Sequence, residues 1–342
     1  MYRFYFYDSS MTHCVNNKHI LTTDETAIAK AVQLLRAGYL VAFPTETVYG
    51  LGADASNADA VKGIFAAKGR PANHPLIVHI ASAEQLQDWA TEIPDTAGRL
   101  AAAFWPGPLA LVLRKQAWVP LAVTGGQDTV ALRVPNHPVA LRLLQAFGGG
   151  IAAPSANRFC RISPTQADHV QQELGERVAL ILDGGSCQVG VESAIVDLTG
   201  EVPVLLRPGQ LKQPEIESVL KTKLLLAHHL TAEIRAPGMM AVHYAPQTLT
   251  RLCSAKDLAQ LASCAVQRGQ RIAVLSYQQP LLNNPAILAK QMPQNADDYA
   301  RLLYARLREL DELGMDEIWV EQPPETPAWQ AINDRLRKAA TN

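Results

Sequence analysis

Residues 41–55 read VAFPTETVYGLGADA, an apolar run that stops at Pro44 and gives way to hydroxyls, a carboxylate and a tyrosine. A strand that delivers Thr45, Glu46, Thr47 and Tyr49 just past its end is how open α/β sheets present ligand-binding loops. Taken alone, the same residues also suit a turn whose hydroxyls cap backbone groups. GLGADA formally satisfies G-x-G-x-x-[GA]. However, Pro44 to Gly50 separate strand from turn, and no acidic residue ends a strand about twenty positions later, which counts against a dinucleotide fold.

The flanking sequence alternates helix and strand. TTDETAIAKAVQLLRAG, from Thr22, has a Thr/Asp start, Ile28, Val32 and Leu35 on one face and Gly38 as a stop, which describes a capped helix. A helix over Ala58–Ala67, the strand IVHIA and an alanine-rich helix near Arg99–Phe104 come next, the last ending at WPGP. Strands LALVLR, TVALRVP, GIAAP, VALILD, SAIVDL and VPVLLRP follow, with helices near Val139–Phe147 and Gln166–Leu174. Several late strands succeed one another without room for a helix, so a twisted α/β sheet mixing parallel and antiparallel strands is expected.

After Arg207-Pro208-Gly209 comes one helix-like stretch and then APGMMAVHYAPQTL, which has no sustained period and reads as an ordered linker. Beyond it, a helix at Lys256–Gln267, the strand RIAVLSY, a long helix around Tyr299, Leu303, Leu307 and Leu310, the strand EIWVEQ and a last helix from Trp329 make a small Rossmann-like α/β unit. The expected division is 1–210, a linker 211–247, and a carboxy-terminal domain 248–342.

Composition is that of an ordinary globular protein, 48% hydrophobic and 18% charged. With 31 basic and 32 acidic residues the formal charge is -1, so a whole-molecule electrostatic attraction to nucleic acid or membrane is excluded and any basic site is local. Cys14, Cys160, Cys187, Cys253 and Cys264 are scattered and never spaced C-x-x-C, which suggests neither a disulfide framework nor a zinc cage. MYRFYFYDSSMTHC lacks the pattern of a signal peptide, and no window approaches a membrane span, so a cytoplasmic protein is expected. The aromatic residues from Tyr2 to Tyr7 are expected to pack on the body as an arm or early strand.

No P-loop, G-x-S-x-G elbow or H-E-x-x-H helix is present. What carries chemistry is a set of polar loops after strands. KGRPANHPL supplies Lys68 and Arg70 beside stiffening prolines, which lowers the ordering cost of binding an anion. Arg133 sits inside the apolar strand TVALRVP, and a buried arginine needs a carboxylate or phosphate partner, either an internal acid or a ligand. Arg207 stands at another strand end. Lys68, Arg70, Arg133 and Arg207, with the hydroxyls of Thr47, Thr129, Ser155, Ser163 and Ser193, describe an anion site suited to a triphosphate and a small carboxylate. No side chain is an obvious covalent nucleophile.

The ordered motifs PTETVYGLGADA, KGRP, ALRVPNHP, APSANRFCRISPT, DGG, GVESAIVDL, LLRPG and PGMMAVHYAP closely resemble the threonylcarbamoyl-AMP synthase family with its YrdC-like catalytic domain. The resemblance covers roughly residues 24–247, and the trailing unit is similar to the extra domain of the longer members. It implies a concave, positively lined cavity and a reaction joining L-threonine, bicarbonate or CO2 and ATP into threonylcarbamoyl-AMP and pyrophosphate, for threonylcarbamoyladenosine in tRNA. By motif, Thr47, His79, Arg133, Ala153 and Ser193 would hold threonine. Arg70, His74, Thr129, Ser155, Ser163, Arg207 and Tyr244 would contact ATP, and Lys68, Arg70 and Arg133 would serve the chemistry. No protein metal site is implied; Mg2+ would arrive with the nucleotide. The product would pass to a tRNA threonylcarbamoyl-transfer complex, with weak RNA binding as an accessory property. Because Tyr244 lies in the linker, HYAP is expected to fold over the cavity as a lid.

Three positions depart from the family pattern: His74 for Asn, Cys160 for Gly and Ala194 for Thr. Cys160 must then tolerate whatever backbone angle the glycine supplies, and a positive φ there would be strained. A nucleic-acid-binding module is the rival from another class, opposed by the near-neutral charge and the lack of an aromatic-basic stripe. Carbamoyl-transfer enzymes of hydrogenase maturation share the fold but carry zinc-type cysteine pairs that are missing here.

Overall fold

In the computed structural model, which describes residues 20–227, 235–240, 242–278 and 285–340, two sheets of very different size are present. The aromatic amino-terminal arm lies outside the described residues. The chain enters through β1 (Ile20–Thr22) and α1 (Glu25–Arg36). Asp24 caps α1 by accepting from the Ala27 amide at 2.8 Å, and Ala27, Ile28, Ala31, Val32 and Leu35 form its buried face.

Next come β2 (Val41–Phe43), β3 (Gly50–Asp54), α2 (Ala58–Lys68), β4 (Ile77–His79), α3 (Leu86–Trp89), β5 (Ala90–Thr91), α4 (Asp95–Phe104), β6 (Leu109–Lys115), α5 (Leu121–Thr124) and β7 (Thr129–Arg133). The first unit continues with α6 (Pro138–Phe147), β8 (Ile151–Ala152), α7 (Ala167–Leu174), β9 (Leu180–Asp183), β10 (Ala194–Asp197), β11 (Val204–Arg207), α8 (Gln213–Leu220) and β12 (Leu225–Leu226). These strands hydrogen-bond in the order β1-β9-β2-β3-β8-β4-β7-β6-β10-β11-β12, with β5 on β6. Parallel pairs such as β4 with β7 alternate with antiparallel ones such as β6 with β7, which is the mixed sheet expected from sequence.

GLGAD is itself a strand, a point the loop reading missed. It runs antiparallel to β2 with Val41 opposite Gly52 and Phe43 opposite Gly50, and to β8 on its other edge. The glycines are there for close approach. A Cβ on Gly52 would come within 2.9 Å of both Ile151 Cγ2 and Phe43 Cε1, so the strand carries no side chain there that could reveal a period of two.

The second unit comprises β13 (Leu249–Cys253), α9 (Ala255–Gln267), β14 (Ile272–Ser276), β15 (Ile287–Gln291), α10 (Ala296–Asp311), β16 (Glu317–Glu321) and α11 (Gln330–Ala339). Its four strands are all parallel, in the order β13-β16-β14-β15. It does not stand apart. Val48, Ile162, Val189 and Val191 of the first unit share one buried cluster with Tyr244 and with Tyr299, Leu303, Tyr304 and Leu307 of α10. At roughly 1.5–3 kcal/mol for each large apolar side chain buried, this joint is a substantial part of the fold. Gly190 permits it, because a Cβ there would lie 2.5 Å from the Ala300 carbonyl oxygen, and its φ is 81°.

Candidate active site

The register of three strands assembles one wall. β4 pairs with β7 so that His79 stands beside Arg133, and with β8 so that His79 faces Ile151. Ala153 and Ser155 follow β8 directly, and Ser155 bridges to Gly50. The loop after β2 closes over them, held by Thr45 Oγ1, which donates to the Val48 carbonyl at 2.7 Å and contacts Thr47 Oγ1 at 2.8 Å. Opposite, β11 brings Arg207, and the linker brings Pro237, Gly238, His243 and Tyr244.

These residues enclose a cavity that holds eight of the predicted site residues together: Thr47, Arg70, His79, Arg133, Ala153, Ser155, Arg207 and Tyr244. Its free volume is about 50 Å³, well under the roughly 300–1,000 Å³ of a typical ligand pocket. Pro237, Gly238, His243 and Tyr244 of the linker form part of its wall.

Three guanidinium groups meet here. Arg133 donates through Nε to the Gly107 carbonyl at 3.2 Å and through Nη2 to Thr47 Oγ1 at 3.0 Å, while Nη2 lies 2.7 Å from Glu46 Oε1. The alternatives left open for this arginine are thus resolved by an internal acid. Its Nη1 has no protein partner among the described residues and stays available. Arg207 donates to the Ser193 carbonyl at 3.0 Å, to Ser193 Oγ at 3.2 Å and to the Pro237 carbonyl at 3.1 Å, so it ties the linker to β10. Arg70 donates to the Pro75 carbonyl at 3.0 Å, and its Nε is buried without a partner. Burial pushes the Arg70 guanidinium down to about 10. An orphaned buried donor of this kind is costly unless a ligand satisfies it.

Two further groups are poised in the same way. The Tyr244 hydroxyl is buried without a partner, and so is His79 Nδ1. Burial, helped by Arg133, drives the His79 ring down to about 3, so it is neutral at pH 7.

The remaining predicted residues line no part of this closed cavity. Lys68, expected beside the phosphates, is buried and donates to the carbonyls of Ser155 and Asn157 at 2.5 and 2.6 Å, pinning that loop. Burial and then Arg70 hold its ammonium well below the usual lysine range. It also borders a wider cleft shared with Arg158, Arg161, Arg308, Glu173 and Asp311. His74 packs edge-on against Phe159, with ring centroids 5.6 Å apart. Thr129 begins β7 opposite Arg114. Ser193 accepts from Arg207, and Ser163 donates to Glu192 Oε1 at 2.5 Å.

Sequence reading missed one acidic residue of the wall. Glu192 lines the cavity with no acid beside it among the described lining residues. It accepts from Ser163, from Tyr304 at 3.0 Å and from Arg335 Nε at 2.8 Å. Burial alone would raise its carboxyl; Arg335, Arg207 and the Ser163 hydroxyl outweigh that and bring it to about 2. Glu192 directly precedes Ser193 in the quoted GVESAIVDL, but nothing in that motif marks it as buried. Cys160 does have a positive φ, 61°, as its glycine-like position suggested.

A family model described as "telomere recombination", covering Sua5, YciO and YrdC proteins, matches residues 33–209, and one described as the threonylcarbamoyl-AMP synthase C-terminal domain matches 211–341. The threonylcarbamoyl-AMP synthase of Pyrococcus abyssi is 43% identical over 329 residues, covering 93% of this chain and 95% of that protein. The chain belongs to the threonylcarbamoyl-AMP synthase family. The Bacillus subtilis synthase is likewise 43% identical, with 94% of each chain covered. The crystal structure of P. abyssi Sua5 complexed with L-threonine superposes with a TM-score of 0.88 at 42% identity, covering 94% of this chain and 97% of that one. The activity is that of a nucleotidyltransferase which makes threonylcarbamoyl-AMP for tRNA modification and uses ATP as substrate. No described helix is long and apolar enough to cross a membrane.

Proposed function

We propose that threonine and ATP occupy the cavity side by side and that its three arginines divide the work. The observation that carries this reading is the convergence of Arg70, Arg133 and Arg207 on one cavity in which the buried Arg70 Nε and Tyr244 hydroxyl lack protein partners. Such groups are what an anionic, hydrogen-bonding ligand would satisfy.

Threonine lies against β4, β7 and β8. Arg133 Nη1 takes its carboxylate, and Thr47, neutral His79, the Ala153 backbone and Ser193 shape the pocket. That P. abyssi Sua5 forms a complex with L-threonine supports threonine as the occupant. The free amine captures CO2 as a carbamate, a carbamate oxygen forms a bond to the α-phosphorus, and the bond to pyrophosphate breaks. Chemistry of this kind needs positioning and charge neutralisation more than a nucleophilic side chain.

ATP is taken by Arg70, Arg207, Ser155 and Tyr244, with His74, Thr129 and Ser163 reaching it once the linker opens. Lys68 acts by holding the loop around Ser155. Mg2+ would come bound to the phosphates. Because the closed cavity is too small for ATP, the part of the linker 211–247 that lines it, Pro237–Gly238 and His243–Tyr244, has to lift for the nucleotide to enter and is the lid between units 1–210 and 248–342, whereas α8 and β12 stay packed on the first unit. The labile product passes to a tRNA threonylcarbamoyl-transfer complex in the cytoplasm.

Pyrophosphate release from ATP, measured with threonine and bicarbonate each omitted in turn, tests the reading. Release is expected to require both. Release that persists without threonine would overturn it.

A further inference from the structure

A site for a triphosphate and a carboxylate has a buried, ionised glutamate in its wall. Glu192 borders the cavity, is about 6% exposed, and would repel an incoming nucleotide if its charge stood alone. Its charge is met from the other domain. Arg335, on α11, has a side chain with no exposure and places Nε 2.8 Å from Glu192 Oε2. The same guanidinium donates through Nη2 to the Pro208 carbonyl at 3.1 Å and lies 5.1 Å from the centre of the Tyr244 ring. Tyr244 stacks in turn on Tyr304, with ring centroids 5.8 Å apart, and Tyr304 donates to Glu192. One turn further along α11, Lys338 Nζ donates to the Gly238 carbonyl at 2.6 Å and the Lys338 carbonyl accepts from the His243 amide at 3.3 Å.

We propose that Arg335 is a positioning residue for the nucleotide site. By pairing with Glu192 it cancels the carboxylate on the cavity wall and keeps that carboxylate turned towards Ser163, and by lying against Tyr244 it sets the lid residue in place. The second domain thus completes the electrostatics of a cavity whose anion-binding arginines all belong to the first. Arg335 itself contacts no substrate. The proposal rests on the assignment of ATP to this cavity.

The test is equilibrium binding of ATP by calorimetry without threonine, together with KM for ATP and for threonine in pyrophosphate release. R335M keeps the length and loses the charge. ATP affinity is expected to fall at least about tenfold, while KM for threonine moves less than about threefold. Adding E192Q removes the charge stranded on the cavity wall, while Asp334, which Arg335 also meets at 2.6 Å, keeps Lys338 at 2.7 Å; the double variant is expected to bind ATP within about threefold of wild type, an energetic coupling that a merely structural arginine would not show. R335K should lie near wild type.

If R335M does not fold, R335K and E192Q decide the matter. R335K with a loss of ATP affinity above about tenfold, or E192Q weakening ATP to that extent, would overturn the charge argument. ATP binding by R335M equal to wild type, or no recovery in the double variant, would do the same. Wild-type protein that binds no ATP would instead remove the nucleotide assignment itself.

Discussion

Replacing Arg133 with methionine separates what this arginine does for the fold from what it does for the ligand. In the folded protein Arg133 and Glu46 are both about 5% exposed, 2.7 Å apart. Removing one member of a buried ion pair costs about 3–5 kcal/mol, because the other charge stays buried without compensation. Unfolding entropy near 2.1 cal/mol/K per residue gives roughly 0.7 kcal/mol per degree for a chain of this length, so Tm should fall by about 4–7 °C. For threonine, the loss of a charge-assisted hydrogen bond worth about 1.5–3 kcal/mol raises KM about 10- to 150-fold. Adding E46Q should then return most of the stability and none of the threonine affinity. Differential scanning calorimetry and threonine-dependent pyrophosphate release read the two effects independently. If the double variant regained its response to threonine, Arg133 would be a purely structural partner of Glu46; if R133M melted at the wild-type temperature, the pair would not matter to the fold.

Other expectations concern strain, acid and the second domain. Cys160→Gly should stabilise the protein by about 0.5–1 kcal/mol in urea unfolding, because a non-glycine residue in the left-handed region costs about 1–2 kcal/mol, partly offset by glycine's larger chain entropy; a destabilised variant would refute this. Burial holds His79 and His243 at about 3 and His169 at about 4. Their folded pKa values are depressed below about 6.5, so the unfolded chain binds more protons and stability falls as pH drops from about 6.5 towards 4, at up to about 4 kcal/mol per pH unit if all three contribute. His169 Nδ1 accepts from the Thr165 amide at 3.2 Å, which a protonated ring cannot do, and H169Q should flatten the slope by about one proton. A urea midpoint that stays level between pH 7 and 5 would contradict the assignment. Truncation after Gln247 keeps the linker, and the lid idea in its sequence form expects that chain to outperform one cut before Pro237. The structure places Tyr244 between Arg335 and Tyr304, so both truncations are expected to lose most of their ATP turnover, and near wild-type turnover by the longer one would count against a positioning role for the second domain.

The elements that sequence exposed are those whose side chains declare a period. Ile28, Val32 and Leu35 mark α1, and Tyr299, Leu303, Leu307 and Leu310 mark α10, because their apolar faces meet a core. β3 stayed hidden since its glycines exist to let Phe43 and Ile151 pack over it. β13 and β15 hid for a different reason: LTRLC and ILAKQ mix charged and apolar residues on strands that end the small sheet on either side. In the site, Thr47, His79, Arg133, Ser155 and Arg207 were legible because each follows or ends an apolar strand, and Arg70 because it follows α2 in a loop stiffened by prolines. That His79 and Arg133 would stand shoulder to shoulder was not, since register is a property of pairing. Arg335 gave no signal. QAINDRLRKA reads as a basic amphipathic helix, and only the docking of α11 turns one of its cations into a fully buried ion pair.

That docking also explains why the chain's neutral total charge is compatible with a strongly anionic pair of substrates. Arg70, Arg133 and Arg207 meet in one cavity, yet the closed protein does not leave them as three bare cations. Arg133 is shared with Glu46, Arg207 with the carbonyls of Ser193 and Pro237, and Arg335 with Glu192. What remains unsatisfied along the cavity is directional: Arg133 Nη1, Arg70 Nε, His79 Nδ1, His243 Nδ1 and the Tyr244 hydroxyl. Preorganised groups of this kind favour a ligand that reaches all of them at once and give less to a lone phosphate or carboxylate, which can meet only one or two of them. With threonine and ATP placed as proposed, selectivity for the pair follows from how the charges are committed within the fold, and the stretch from Pro237 to Tyr244, fastened through Arg207 and α11, is the element expected to release as substrate enters.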